Sequence, residues 1–231
     1  MLAFIVALFS LFSQIQGQLP IPVLRQLGYK YTPQPNGQSL PAASGPAEVH
    51  IDAVYDHLCP DSAQAWPGLQ AAVDYYNGRV SLAVHIFPLP YHHNSFFTTQ
   101  AGRIVAYHGE GGDQNSRFFE YLPAMFKVQS DFWNAATADM TANDVFGNLG
   151  ALVSKFGVDT TVFQAGIANS TIDEDCRISW KVMADRGAHG TPNHIVNGIF
   201  VASDLVTTAD WRSLLDPVLN GTMRHQECAF A

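Results

Sequence analysis

The chain has 231 residues, with 12 Lys and Arg against 20 Asp and Glu, for a net charge of −8. That balance argues against nucleic acid as a partner and against attraction to anionic membrane surfaces. The length suits one sizeable domain or two small ones.

Residues 2–12 form an uncharged apolar run, too short to span a bilayer and suited to the core of a secretory signal, with Gly17 as the small residue at the cleavage point. Residues 1–17 are therefore expected to be a signal peptide. No later run reaches the roughly 18 apolar residues that a membrane span needs, so the mature protein is expected to be soluble. Asn169-Ser170-Thr171 and Asn220-Gly221-Thr222 are N-glycosylation sequons that a secreted route would expose to modification. The three cysteines, Cys59, Cys176 and Cys228, leave one unpaired in an oxidising compartment. Cys176 with Cys228 is one candidate disulfide, and pairing of Cys59 with either is equally open.

Residues 18–46 carry Pro20, Pro22, Pro33, Pro35, Pro41 and Pro46 among Gly and Ser, and are expected to be an extended leader without a core of its own. From Glu48, the residues Val49, Ile51, Ala53 and Tyr55 alternate with His50, Asp52 and Val54, the period of a strand. A helix is expected from Cys59-Pro60 to Tyr76, stopped by Asn77-Gly78 and kinked at Pro67. Val80, Leu82, Val84 and Ile86 alternate again, so strand, helix and strand make a right-handed parallel crossover.

Residues 91–188 read as a helical block, with segments near 95–107, 116–134 and 142–156. A fourth is expected to open on a Thr171-Ile172-Asp173-Glu174 capping box and to end at Arg186-Gly187. Phe118, Phe119, Leu122, Met125 and Phe126 recur at helical spacing and read as core. His92-His93 read as a solvated loop. Asn193–Val196 and Ile199–Ala202 flank Asn197-Gly198, the signature of a type I′ hairpin. A last helix runs from about Thr208 to Leu219, and 221–231 form a tail.

Strand, helix, strand, helical block, hairpin, helix, with Cys59-Pro60-Asp61-Ser62 at a helix start and Gly190-Thr191-Pro192 ahead of the hairpin, resembles the DsbA-like branch of the thioredoxin superfamily. The resemblance covers roughly residues 47–220. It implies an α/β thioredoxin-like fold with a large helical insertion. It also implies that Pro192 is cis, packs on the Cys59 loop, and leaves the Thr191 backbone to pair with an extended peptide or disulfide substrate.

A thiol at a helix N-terminus lies beside unpaired N–H groups at the positive end of the dipole, which favours thiolate. Pro60 fits the first turn, where its missing N–H costs nothing. Ser62 is expected to donate to the sulfur, but it cannot attack a mixed disulfide as a second cysteine would. Asp61 disfavours the thiolate, and a protonated His57 would offset that. The buried acid that such relatives place six residues before the cysteine is absent: Ala53 stands there, with Asp52 on the opposite face. Metal binding by Cys59 with His57 or His194 lacks any recognised ligand spacing, and His194 is expected to face either the core or the site. No phosphate-binding loop and no nucleophilic serine elbow is present.

The leading expectation is a secreted or lumenal monothiol thiol–disulfide oxidoreductase or isomerase. It would use Cys59 on a cysteine-containing protein or extended peptide, without a bound cofactor, and would exchange with an external thiol such as glutathione. Two alternatives stand beside it. One is a catalytically inactive peptide-binding module built on the Pro192 groove. The other is a glutathione-dependent transferase, implied by the likeness of this architecture to kappa-class enzymes, which generally carry serine where Cys59 stands and work inside cells.

Overall fold

The computed structural model describes residues 28–202 and 204–221. The signal segment, the start of the leader, Thr222 and Cys228 lie outside the described residues.

A five-stranded sheet in the order β1-β3-β2-β4-β5 forms the centre. Its strands are β1 (Tyr29–Tyr31), β2 (Val49–Tyr55), β3 (Val80–Ile86), β4 (Asn193–Val196) and β5 (Ile199–Val201). β2 and β3 are parallel, with Ala53 opposite Val84, and the other three pairings are antiparallel. Between β2 and β3 runs α1 (Pro60–Tyr76). The helices α2 (Ser95–His108), α3 (Gln114–Val128), α4 (Ala142–Val153), α5 (Thr160–Ile167) and α6 (Ser170–Asp185) make the insertion, and α7 (Thr208–Leu219) closes the domain. No helix among the described residues is long and apolar enough to cross a membrane.

The sequence pattern accounts for most of these elements. α1 ends at Asn77, in the left-handed region at φ 43°, with Gly78 following at φ 92°. The β4–β5 turn needs positive φ at both central positions, and Asn197 at 49° and Gly198 at 84° supply it. One core joins Ile51, Tyr55, Trp66, Leu69, Leu82, Phe118 and Trp211 between the sheet and α1, α3 and α7. A second core fills the insertion around Ile104, Tyr121, Leu149, Phe163 and Cys176.

Several expectations give way to tertiary packing. The proline-rich segment supplies β1: Tyr29 stacks on Phe118 with ring centroids 3.5 Å apart, and Tyr31 meets Trp66 and Phe119 edge-on. Three residues are too few to show a period, so the prolines around them dominate the pattern. α1 continues through Pro67, held by the buried Trp66, Leu69, Ala72 and Val73 that surround it in sequence. β2 alternates only at His50. Asp52 and Val54 are buried as well, because helices cover both faces of a central parallel strand.

In the insertion, the helix expected over 116–134 ends at Val128 and tightens into a 3₁₀ turn over Gln129–Phe132. The eight-residue α5 is an addition to the expected elements. α6 starts at Ser170, one residue before Thr171, and is capped by Asn169, whose Oδ1 accepts the Thr171 N–H at 2.8 Å and the Ile172 N–H at 3.4 Å. Among the described residues, the capping boxes are Thr141–Asp144 and Thr207–Asp210.

Candidate active site

Cys59 is the N-cap of α1, with Pro60 at the first helical position. The Thr191–Pro192 peptide is cis, and Cys59 Sγ donates to the Thr191 carbonyl at 3.3 Å. The two motifs, far apart in sequence, therefore touch through sulfur and backbone. Cys59 is 4% exposed. Thr191 Oγ1 is buried with no hydrogen-bond partner among the described residues.

Ser62 turns away from its expected role as a donor to the sulfur. Its buried Oγ accepts the Asp56 backbone N–H at 3.3 Å, which ties the first turn of α1 to the end of β2. Asp61 and Pro60 are exposed on the same turn. His57 does not face Cys59 either. It is buried against Phe118, Tyr121 and Gly102, and burial pushes it down to about 4 against the pull of Asp56. A neutral imidazole there cannot offset Asp61. His194 belongs to the core: Tyr55 Oη meets its Nε2 at 3.1 Å, Trp211 packs on its ring, and burial holds it at about 4.

Two buried acids sit at the central strand, Asp52 within β2 and Asp56 just after its end. Burial pushes the Asp52 carboxyl up, but hydrogen bonds from His50 at 3.2 Å and His85 at 2.8 Å outweigh it and hold Asp52 below the usual carboxylate range. Arg186 adds an ion pair at 3.1 Å.

Asp56, which belongs to neither sequence motif, lies beneath the Cys59 loop and is fully buried. Its Oδ1 accepts from the Leu58 N–H at 2.9 Å and from Ser95 Oγ. Its Oδ2 accepts from the Leu89 N–H at 2.9 Å and from His92 Nδ1 at 2.7 Å, while its carbonyl accepts the Cys59 N–H at 3.1 Å. His92 is therefore a bound ligand of this carboxylate, with its side chain 20% exposed, and not part of a solvated loop. An Asp three residues before a helix-starting Cys was the local signal; apart from Leu58, its side-chain partners Leu89, His92 and Ser95 lie more than thirty residues away and could not be read locally.

Around the thiol, Gln129 Nε2 donates to the His57 and Cys59 carbonyls, and Trp133 Nε1 donates to the Leu58 carbonyl at 3.0 Å. A cleft of about 330 Å³ opens there between Leu58, Pro60, His92 and Trp133.

The remaining candidate residues lie elsewhere. Cys176 is a free, buried thiol in the insertion core, as Cys59 is a free thiol at the site, so the two are not joined. Burial pushes Cys176 up to about 11, opposed by Arg103 beside it. The proposed partner Cys228 falls outside the described residues. Asn169 and Asn220 are exposed at the ends of α6 and α7. Among the described residues, no group of three His, Cys, Asp or Glu is placed to hold a metal ion.

This arrangement matches known proteins in fold. A putative protein-disulfide isomerase from Pseudomonas syringae aligns at 18% identity and a TM-score of 0.60, over 74% of this chain and 95% of its own. Oxidised BdbD from Bacillus subtilis aligns at 16% identity and 0.60, over 82% and 98%. DsbA2 from Pseudomonas aeruginosa aligns at 18% identity and 0.53, over 82% and 98%. No curated protein matches the sequence. The model of the DSBA-like thioredoxin domain matches residues 50–212, from the central strand β2 through the Cys59 loop and the cis-proline turn into α7, and the chain belongs to that family.

Proposed function

We propose that this protein carries out thiol–disulfide exchange through Cys59 alone, in the secretory pathway or outside the cell, on cysteine-containing proteins or extended peptides. The observation that carries this reading is the contact of Cys59 Sγ with the Thr191 carbonyl at the cis-proline turn, with Ser62 in the place of a second thiol. Family membership supports the exchange chemistry. The apolar run at residues 2–12 and the two sequons support the location.

A single thiol can form a mixed disulfide but cannot resolve it internally, so release falls to an external thiol of the glutathione class. The test is incubation of the full chain with oxidised glutathione and with a peptide disulfide, followed by peptide mapping. Adducts on Cys59, absent in Cys59→Ser, are expected.

A second reading, a peptide-binding module without turnover, is favoured by the 4% exposure of Cys59 and by the unpartnered Thr191 Oγ1. Peptide affinity that survives Cys59→Ser, with no adduct on the wild-type thiol, would decide for it.

A further inference from the structure

His92 lines two cavities. One is the cleft of about 330 Å³ walled by Leu58 and Pro60, the residues on either side of Cys59, and by Trp133. The other, about 390 Å³, lies between the Pro88-Leu89-Pro90 turn and α6, where Trp180 and Lys181 face it. The imidazole is held from behind. An ionised carboxylate can only accept, so the 2.7 Å contact with Asp56 puts a ring hydrogen on Nδ1, and the neutral form of the ring then carries its lone pair on Nε2. Asp56 is fully buried and also holds the Cys59 N–H through its carbonyl. One residue therefore positions both the thiol's backbone and the imidazole that shares the cleft with the thiol's neighbours.

The chemistry of a single thiol asks for such a group. With Ser62 in place of a resolving cysteine, the attacking thiol comes from solution. At pH 6.5 a thiol of ordinary acidity is only about 1% thiolate, so a base at the point of attack has much to contribute.

We propose that His92 is the proton acceptor for the external thiol that releases a mixed disulfide from Cys59, with Asp56 as its positioning residue. This rests on the exchange reading above. The incoming monothiol gives its proton to His92 Nε2, and its sulfur attacks the substrate sulfur of the mixed disulfide. A new disulfide forms between external thiol and substrate while the bond to Cys59 breaks. Cys59 leaves as thiolate and recovers the proton from the imidazolium, so that one disulfide and one thiol stand on each side of the reaction. The other titratable and charged groups around His92 are Tyr91, with ring centroids 4.9 Å apart, His93, and Arg177 and Lys181 from α6. Arg177 is itself paired with Asp173.

The test loads Cys59 with glutathione from its disulfide and measures release by 2-mercaptoethanol between pH 6 and 9.5, in wild type and His92→Gln. The variant is expected to be slower by on the order of 10- to 100-fold at pH 6.5 and nearly equal at pH 9.5, where the thiol ionises unaided. A purely structural role would slow both ends alike, and equal ratios at the two pH values overturn the inference.

If His92→Gln does not fold, the wild-type profile decides. A rate that tracks the thiolate fraction of 2-mercaptoethanol across the range overturns the inference, and an excess rate at low pH supports it. Failure to load Cys59 at all overturns the exchange reading and this inference together, whereas loading followed by equal ratios overturns only the role of His92.

Discussion

A Cβ placed on Gly68 would stand 2.0 Å from the Val206 carbonyl oxygen and 2.9 Å from the Thr207 carbonyl carbon. The middle of α1 thus touches the chain leading into α7 backbone to backbone. Thr208 Oγ1 donates to the Gly68 carbonyl at 3.4 Å across the same junction. The absence of a side chain at Gly68 lets the helix that presents Cys59 approach this closely.

Gly68→Ala should therefore destabilise the protein. Alanine adds about 1 kcal/mol of intrinsic helix preference, but the clash is with backbone that cannot rotate away, and overpacking of this kind costs about 1–3 kcal/mol or more. Urea unfolding followed by far-UV circular dichroism measures the balance. A midpoint equal to or above wild type would mean that the two segments separate easily.

Asp56→Ala removes the acceptor shared by Leu58 N–H, Leu89 N–H, Ser95 and His92. Stranding these buried donors is expected to cost about 3 kcal/mol or more. Asp61→Ala, two residues into the exposed first turn, should stay within about 0.5 kcal/mol. The pair of variants separates burial from mere proximity to Cys59, and similar losses in both would contradict the network.

Stability should fall with acid over a window set by two histidines. His57 and His194 are held at about 4 by burial, against an unfolded value of about 6.5. Both folded values are depressed, so the unfolded chain binds more protons between these limits. The stabilisation is complete above about pH 6.5 and is lost as pH falls towards 4, at up to about 1.4 kcal/mol per pH unit for each histidine. Denaturation midpoints measured from pH 7.5 to 4.5 should decline below 6.5; a flat profile would show that both rings protonate within the fold.

Cys176 should resist modification in the native state. It is fully buried, and burial raises its thiol to about 11, so iodoacetamide at pH 8 should label it only after unfolding in urea. Quantitative labelling of Cys176 in native protein would mean that the insertion opens on the timescale of the reaction.

Much of the architecture follows from local rules. The extended apolar runs of β2 and β3, the Asn77-Gly78 stop and the Asn197-Gly198 turn depend on residues adjacent in sequence, and local preference at those positions is nearly independent of the rest of the chain. The Cys59-Pro60 helix start was legible for the same reason, whereas the cis Thr191-Pro192 turn and the fold were implied by the resemblance that the two motifs and the element order carry. What needed the tertiary structure was every side chain whose partner is distant. β1 exists because Tyr29 and Tyr31 find Phe118, Trp66 and Phe119. His57 lost its place beside the thiol to a core pocket, and Ser62 gave its oxygen to Asp56. His92 gained a place at the site through a carboxylate thirty-six residues earlier. The sequence by itself determined where the chain turns, stops and carries its thiol, because those choices are made by backbone preferences within a few residues. Which groups surround that thiol was decided only on folding, because a buried polar atom must take whichever partner the packed elements bring within hydrogen-bond reach.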